Sequence, residues 1–180
     1  MTSSQELFSS SLISQEVQAI LPNTCTLRPL ERSDFHGGHL DVLRGLTHVG
    51  DISEATWTER FDFMKSCNGT YYTVVIVDKS REASKSIVGT GTLFVEKKFL
   101  YELGIQGHIE DIAIASDMQG QKFGVKLIQA LDHIAKEVGC YKTILDCSPN
   151  NAPFYEKCGY EKAGQEMHHY FDPKAQEYSV

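Results

Sequence analysis

The spacing of apolar and polar residues along this chain predicts a mixed α/β fold. Short runs rich in β-branched and aromatic residues predict strands, and longer stretches with apolar residues three and four apart predict helices. The order along the chain is strand, two helices, three strands, helix, strand, helix, strand, which indicates a mixed central sheet flanked by helices. The predicted strands cover residues 24–30, 71–77, 87–95, 108–114, 142–147 and 166–171.

The clearest helix is predicted over residues 122–138, and Gly139 follows as its C-terminal stop. Its apolar stripe consists of Leu127, Leu131, Ile134 and Val138. Two earlier helices are predicted, one capped by Ser33 and Asp34 and weakened by Gly37 and Gly38, the other beginning at Ser53 or Thr56 and burying Trp57, Phe61 and Met64. A short helix is expected over residues 150–158.

Two glycines, Gly89 and Gly91, lie on one face of the third predicted strand. They indicate either the close approach of another backbone or a ligand, or a bulge in the strand.

The segment 107–128 combines a strand, two adjacent acids, a glycine-bearing turn and the start of the long helix. The unpaired N–H groups and positive dipole at a helix start suit an anion, so a phosphate-bearing ligand is expected at Gln119–Gly124. The Gly-Lys-Ser/Thr ending of a Walker loop and the G-x-G-x-x-G of a dinucleotide fold are both absent from this turn.

The formal charge of −7 and the lack of a long basic run argue against a nucleic-acid or anionic-membrane surface. The five cysteines form no C-x-x-C pair, which fits reduced thiols in a cytoplasmic protein. The seven histidines form no H-x-x-x-H pattern, so no metal is expected.

The predicted organisation is an N-terminal tail or docking segment, residues 1–22, followed by a single domain, residues 23–180. The first basic residue is Arg28, so neither a signal peptide nor an Arg-rich transit peptide is expected. No apolar run is long enough to span a bilayer.

Several stretches together resemble the glucosamine 6-phosphate N-acetyltransferases, a family of the GNAT superfamily of N-acetyltransferases. The turn Gln119-Gly120-Gln121-Lys122-Phe123-Gly124 is similar to the pyrophosphate loop Q/R-x-x-G-x-G/A, with Lys122 where the first glycine usually stands. The other stretches are residues 46–50, 107–112, 139–147 and 154–159, and the similarity covers about residues 24–172.

The resemblance implies that a hexosamine 2-amine attacks the thioester of acetyl-CoA directly, giving N-acetylglucosamine 6-phosphate and coenzyme A for UDP-N-acetylglucosamine biosynthesis. The coenzyme-binding residues implied in this way are Ile112, Ala113, Ile114, Gln119, Gly120, Gln121, Lys122, Phe123, Gly124, Val125, Tyr155, Glu156 and Lys157. A homodimer with shared active sites is also implied by the family alone.

Four residues are candidates for the chemistry. Tyr155 is the expected acid for the departing thiolate, with a core tyrosine as the alternative. Asp146 is expected to end an apolar strand and hold the sugar amine, with a structural carboxylate as the alternative. Glu110 and Asp111 are expected on opposite faces of a strand, because side chains alternate, and the family places this pair at the amino sugar.

For the sugar phosphate, the resemblance points to Thr47, Lys98, Tyr101, Tyr141 and Lys142, whereas solvated surface lysines are the alternative. The family often has an arginine on the last strand near this phosphate, and Tyr170 occupies that place here.

Two other functions remain open on the sequence. The acceptor could be another small amine, such as a different amino sugar, a polyamine or a peptide N-terminus. The chain could also be a catalytically silent module that senses acetyl-CoA.

Overall fold

The computed structural model describes residues 5–177, without the side chain of Gln176. The chain divides into two compact units, residues 1–144 and 145–180. The first unit contains a sheet of five strands in the order β1-β2-β3-β4-β5. Strands β1 to β4 pair antiparallel and β5 is parallel to β4. Their bounds are Cys25–Pro29, Tyr71–Asp78, Ile87–Lys97, Ile105–Ile114 and Cys140–Ile144.

The mixed sheet with flanking helices confirms the predicted fold class, and the first four strands lie where the pattern predicts them. The fifth strand begins and ends earlier than predicted, at Cys140 and Ile144. The prediction that Asp146 ends this strand is therefore wrong. The pairing of β5 with β4 stops at Ile144 although β4 continues to Ile114, so residues 145–147 pair with none of the described strands.

The helix that precedes β2 begins at its predicted cap, whereas the cap predicted at Ser33 and Asp34 is wrong, because Glu31 is the N-cap there and both residues lie inside the turn that follows it. Ser53 accepts a hydrogen bond from the N–H of Thr56 and starts α3 (Glu54–Ser66). The other predicted helix is divided into a 3-10 turn, Arg32–Phe35, and α2 (His39–Arg44), because Gly38 adopts a left-handed φ of +88° between them. Trp57 and Phe61 are buried, as predicted, against the first part of the sheet.

The long helix α5 (Phe123–Glu137) packs its apolar face on the sheet, and its predicted bounds are confirmed to within one residue. The two strand glycines explain how closely it packs. A Cβ atom at Gly89 would meet Leu127 at 3.4 Å, and one at Gly91 would meet Leu131 at 3.1 Å. Gly91 also faces a β-bulge, so the bulge among the predicted alternatives occurs, whereas the atoms that approach these glycines closely belong to side chains and not to a backbone or a ligand.

The N-terminal segment covers the free edge of β1. Helix α1 (Gln15–Ala19) carries Gln18, which accepts from the N–H of Leu27 at 2.7 Å and donates to the carbonyl of Cys25 at 3.1 Å. The amide thus replaces part of a neighbouring strand. Four apolar residues of this segment are buried, Leu7, Ile13, Val17 and Leu21. The boundary predicted at residue 22 stays a prediction.

The second unit contains α6 (Ala152–Lys157) and α7 (Pro173–Gln176). The strand predicted over residues 166–171 is wrong, since these residues are described and form neither helix nor strand. Met167 and Phe171 are each more than nine-tenths exposed. A strand needs a partner for its backbone groups, and this segment pairs with none of the described strands.

His39 is buried in the first unit and joined to two other side chains. Its Nδ1 accepts from Trp57 Nε1 at 3.4 Å, so its Nε2 carries the hydrogen that faces Thr90 Oγ1 at 3.3 Å. Burial lowers the pKa of His39 to about 4, although Asp34 acts in the opposite direction. The imidazole is therefore neutral in the folded protein at physiological pH.

The protein is expected to lose stability as the pH falls from 6.5 towards 4, because the unfolded chain protonates His39 in that range while the folded protein resists protonation. The contribution lost approaches about 3 kcal/mol. The measurement is urea unfolding of wild type and His39→Gln as a function of pH. A difference in unfolding free energy between the two proteins that does not change with pH would contradict the expectation.

Candidate active site

The turn that precedes α5 is built to present backbone donors. Gly120 has a φ of +78° and Lys122 a φ of +63°, so the chain twice adopts the left-handed conformation within three residues. No side chain caps the start of α5. The N–H groups of Phe123, Gly124 and Val125 therefore have no partner within the helix, since the first intrahelical bond is donated by Lys126.

Lys122, which stands where the similar motif has a glycine, adopts a left-handed backbone conformation. A non-glycine residue in this region is strained by about 1–2 kcal/mol. The side chain is exposed, as the sequence requires of a residue that must point away from a ligand.

The space in front of the turn is open. A Cβ atom built on Gly120 would meet nothing within 4 Å. The turn fits the diphosphate of a coenzyme, because it combines open space, unpaired N–H groups and the positive end of a helix of 15 residues. The chemistry of this turn therefore suits the predicted ligand.

Strand β4 contains a bulge at the two candidate acids. Thr90 pairs with Ala113 but Thr92 pairs with Glu110, so the register shifts between them, and Asp111 has a left-handed φ of +56°. The prediction that Glu110 and Asp111 lie on opposite faces by simple alternation is wrong, because a bulge interrupts the alternation. Both side chains are exposed.

The pKa of Asp111 is raised by desolvation. Solvent reaches this side chain, yet enough protein surrounds the carboxyl group to disfavour its charge. A carboxylate in such a position is a candidate proton acceptor.

Beside the bulge, β4 has an unpaired edge. Its pairing with β5 runs only from Ile105 to His108, whereas its pairing with β3 continues to Ile114. Among the described strands, none pairs with the β5 side of residues 109–114. The predicted coenzyme residues Ile112, Ala113 and Ile114 lie in this segment, where no described strand pairs with one side of the backbone and Gln119 Nε2 donates to the carbonyl of Ile114 over 3.4 Å.

Four of the five residues predicted to bind phosphate lie together at the other end of β4. The rings of Tyr101 and Tyr141 are 4.9 Å apart, and Lys142 Nζ lies 5.8 Å from the centre of the Tyr141 ring. The pKa of Lys98 is raised by its hydrogen bond to Glu96, and more weakly by Tyr141 and Tyr101. Thr47 lies in the loop after α2, where its N–H donates to the carbonyl of Leu43.

Three polar residues beside this cluster were not predicted as site residues from the sequence, namely Glu96, Gln106 and His108. Glu96 Oε2 lies 2.8 Å from Lys98 and 3.0 Å from His108 Nε2. Glu96 and Lys98 are two residues apart, and so are Gln106 and His108. This spacing indicates in the sequence that the two members of each pair share a face. Only the register of β3 with β4 brings the two pairs together.

The second unit holds the remaining candidates. Tyr155 lies half-buried on α6, with its ring 4.9 Å from Phe154 and 6.2 Å from Tyr160. Glu156 and Lys157 follow it on the exposed side of the helix. Asp146 is exposed in the loop before α6.

The described residues contain no group of three or more His, Cys, Asp or Glu side chains that could hold a metal ion. In the same part of the chain, no helix is both long and apolar enough to cross a membrane. A shallow groove on the outer face of α3, lined by Arg32, Glu59 and Asp62 among others, lies apart from the candidate residues. It offers surface ion pairs, such as that of Arg32 with Asp62.

Comparisons with known proteins identify the family of this chain. The model of the acetyltransferase (GNAT) family matches residues 41–160. The chain is 46% identical to glucosamine 6-phosphate N-acetyltransferase of Candida albicans, over 82% of this chain and 97% of that protein. It is 38% identical to glucosamine 6-phosphate N-acetyltransferase 1 of Dictyostelium discoideum, over 84% of this chain and 94% of that protein.

A solved structure is also similar to this chain. The crystal structure of glucosamine-6-phosphate N-acetyltransferase from Arabidopsis thaliana superposes with a TM-score of 0.78 at 39% identity. The match covers 83% of this chain and all of that chain.

Replacing Lys122 is expected to separate backbone strain from side-chain charge. Lys122→Gly relieves the left-handed conformation but gains freedom in the unfolded chain, whereas Lys122→Ala keeps the strain. The glycine variant should therefore exceed the alanine variant in unfolding free energy by about 1 kcal/mol. Equal stability of the two variants in urea unfolding would show that the left-handed conformation is not strained in solution.

Proposed function

Because this chain belongs to the GNAT family of acetyltransferases, we propose that it transfers the acetyl group of acetyl-CoA to the 2-amine of D-glucosamine 6-phosphate. The products are N-acetyl-D-glucosamine 6-phosphate and coenzyme A. The observation that carries the choice of acceptor is the cluster of Lys98, Tyr101, Tyr141 and Lys142, two cations and two hydroxyl groups suited to a phosphate. Relatives named for this reaction support the same acceptor.

The coenzyme supplies an activated acetyl group, and the first unit supplies the binding site for the coenzyme. The N–H groups of Phe123, Gly124 and Val125 bind the diphosphate, and the helix dipole of α5 adds to their effect. Gln119, Gly120, Gln121 and Lys122 shape the turn in front of them. Glu156 and Lys157 are proposed as further coenzyme contacts on the strength of the family resemblance.

Strand β4 positions the reacting groups. Its unpaired edge at Ile112–Ile114 offers N–H groups to the thioester oxygen as that oxygen gains charge. Glu110 and Asp111 face the amino sugar, and the raised pKa of Asp111 suits a group that accepts a proton from the amine.

On the strength of the family resemblance, we also propose roles for Tyr155 and Asp146. The sugar amine attacks the thioester carbon directly, and the bond from that carbon to sulfur breaks as the amide forms. Tyr155 gives its hydroxyl proton to the departing thiolate, and Asp146 holds the amine. No covalent enzyme intermediate is needed.

The proposal includes a homodimer with shared active sites. Phe99, Leu100 and Leu103 are exposed at 94%, 67% and 67%, an unusual concentration of large apolar side chains in a short turn. Tyr101, Glu102 and Leu103 all adopt left-handed φ angles, which strains the same turn. A second copy that covers this surface would remove its contact with water.

We also propose that the enzyme works in the cytoplasm and supplies UDP-N-acetylglucosamine biosynthesis. All five cysteines are free thiols, which suits a reducing compartment.

The acceptor is tested by comparing glucosamine 6-phosphate with unphosphorylated glucosamine in a thiol-release assay. Removing a phosphate that makes several charge-assisted hydrogen bonds is expected to lower kcat/KM by about a hundredfold or more. Polyamines and peptide amines serve as further acceptors in the same assay. Equal kcat/KM with and without phosphate would reject the proposed substrate, and tight binding of acetyl-CoA without thiol release would indicate a sensing module.

Tyr155→Phe is expected to lower kcat by about a hundredfold while leaving acetyl-CoA affinity nearly unchanged, because only the acidic proton is removed. Tyr160→Phe is the matched control, since it removes the hydroxyl group of a neighbouring tyrosine in the same unit. Steady-state kinetics and calorimetric binding of acetyl-CoA separate the two effects. An unchanged kcat in Tyr155→Phe would exclude it as the acid.

A further inference from the structure

Five polar side chains form a continuous set of contacts across β3, β4 and β5. Lys98 Nζ lies 2.8 Å from Glu96 Oε2, and His108 Nε2 lies 3.0 Å from the same oxygen. Gln106 Nε2 lies 3.3 Å from His108 Nε2, and the Tyr141 hydroxyl group donates to Gln106 Oε1 over 3.0 Å. Two of the proposed phosphate ligands, Lys98 and Tyr141, are therefore linked through three residues that the proposed reaction leaves without a role.

One nitrogen atom in this set faces two partners with opposite requirements. An ionised Glu96 carboxylate requires a hydrogen on His108 Nε2, whereas the NH2 group of Gln106 requires a lone pair there. The pKa of Glu96 is lowered by its hydrogen bonds with Lys98 and then with His108, so its carboxylate is ionised at neutral pH. His108 Nε2 cannot accept from Gln106 while it donates to Glu96, so the set has two arrangements.

In the first arrangement, Gln106 donates to His108 and accepts the hydroxyl proton of Tyr141. In the second, the amide is turned by 180°, so that Oε1 accepts from His108 Nε2–H and the NH2 group donates to the Tyr141 oxygen. His108 Nε2–H is shared between Glu96 and Gln106 in this second arrangement. Only here is the hydroxyl proton of Tyr141 free to reach a ligand.

A phosphate group beside Lys98 favours the second arrangement. The ammonium group of Lys98 then divides its hydrogen bonds between Glu96 and the phosphate, and the hydrogen on His108 Nε2 supports the carboxylate. Gln106 is only 6% exposed, so its amide has little access to water and must match its donor and acceptor to His108 and Tyr141. The hydroxyl group of Tyr141 no longer donates to Gln106 and is then available to donate to a phosphate oxygen.

We propose that Gln106 is a positioning residue for the substrate phosphate, because its buried amide sets the direction in which the Tyr141 hydroxyl group donates. This inference rests on the proposed function. It predicts that Gln106 affects the use of the phosphorylated acceptor and that its effect passes through Tyr141.

The test is a double-mutant cycle on the KM for glucosamine 6-phosphate. Tyr141→Phe removes a hydrogen bond to a charged group and should raise this KM by about tenfold, and Gln106→Leu should raise it by about fivefold. The double variant should stay near the tenfold effect of Tyr141→Phe alone, because Gln106 has nothing left to orient. The KM for acetyl-CoA should be unchanged in all three variants, and the kcat/KM for plain glucosamine should be unchanged in Gln106→Leu.

Thr73→Val is the matched control, since it loses a hydrogen bond to Thr92 inside the same sheet at 2.9 Å without touching the cluster. Thermal unfolding monitors folding, and Gln106→Met replaces the leucine variant if that variant does not fold. Multiplying effects in the double variant, or a KM for glucosamine 6-phosphate that Gln106 does not change, would overturn the inference alone. A wild-type enzyme with no preference for the phosphorylated sugar would overturn both this inference and the proposed function.

Discussion

The packing of α5 on the sheet is the interaction on which the rest of the first unit depends. Seven residues of this helix are buried, Phe123, Leu127, Ile128, Ala130, Leu131, Ile134 and Ala135. Burying this apolar face is the main favourable term that fixes the helix axis relative to β3 and β4. The start of the helix, and with it the set of unpaired N–H groups, is held in place as a consequence. A phosphate-binding turn gains affinity when its donors are already ordered before the ligand arrives.

The two parts of strand β4 differ in their hydrogen bonding, and they meet where β5 ends. Up to His108 it is bonded on both edges, and there its side chains support the cluster around Lys98 and Tyr141. Beyond His108 it is bonded on one edge only, and the bulge at Asp111 changes the direction of its side chains. Rigid backbone thus holds the proposed phosphate site, while open backbone faces the proposed acyl group.

Much of this arrangement could be predicted from local sequence. The stripe on α5 and the cap at Ser53 follow from side-chain periodicity and hydrogen bonding within a few residues, which are properties of the segment itself. The bulge at Asp111 could not be predicted, because a bulge is a relation between two strands. The contact of Glu96 with His108 depends on the register of β3 with β4 in the same way. The strand expected at residues 166–171 is absent for a related reason, since local composition supplies no pairing partner.

Gln18 gives the N-terminal segment a structural role that its serine-rich composition does not indicate. Its amide occupies both a donor and an acceptor on the outer edge of β1, at Leu27 and Cys25. A chain trimmed at residue 22 would keep all the proposed catalytic residues but would leave that outer edge bare. Bare edges template the addition of further strands from other molecules. Helix α1 therefore blocks the addition of a further strand at Leu27 and Cys25, and a chain without it would expose these backbone groups.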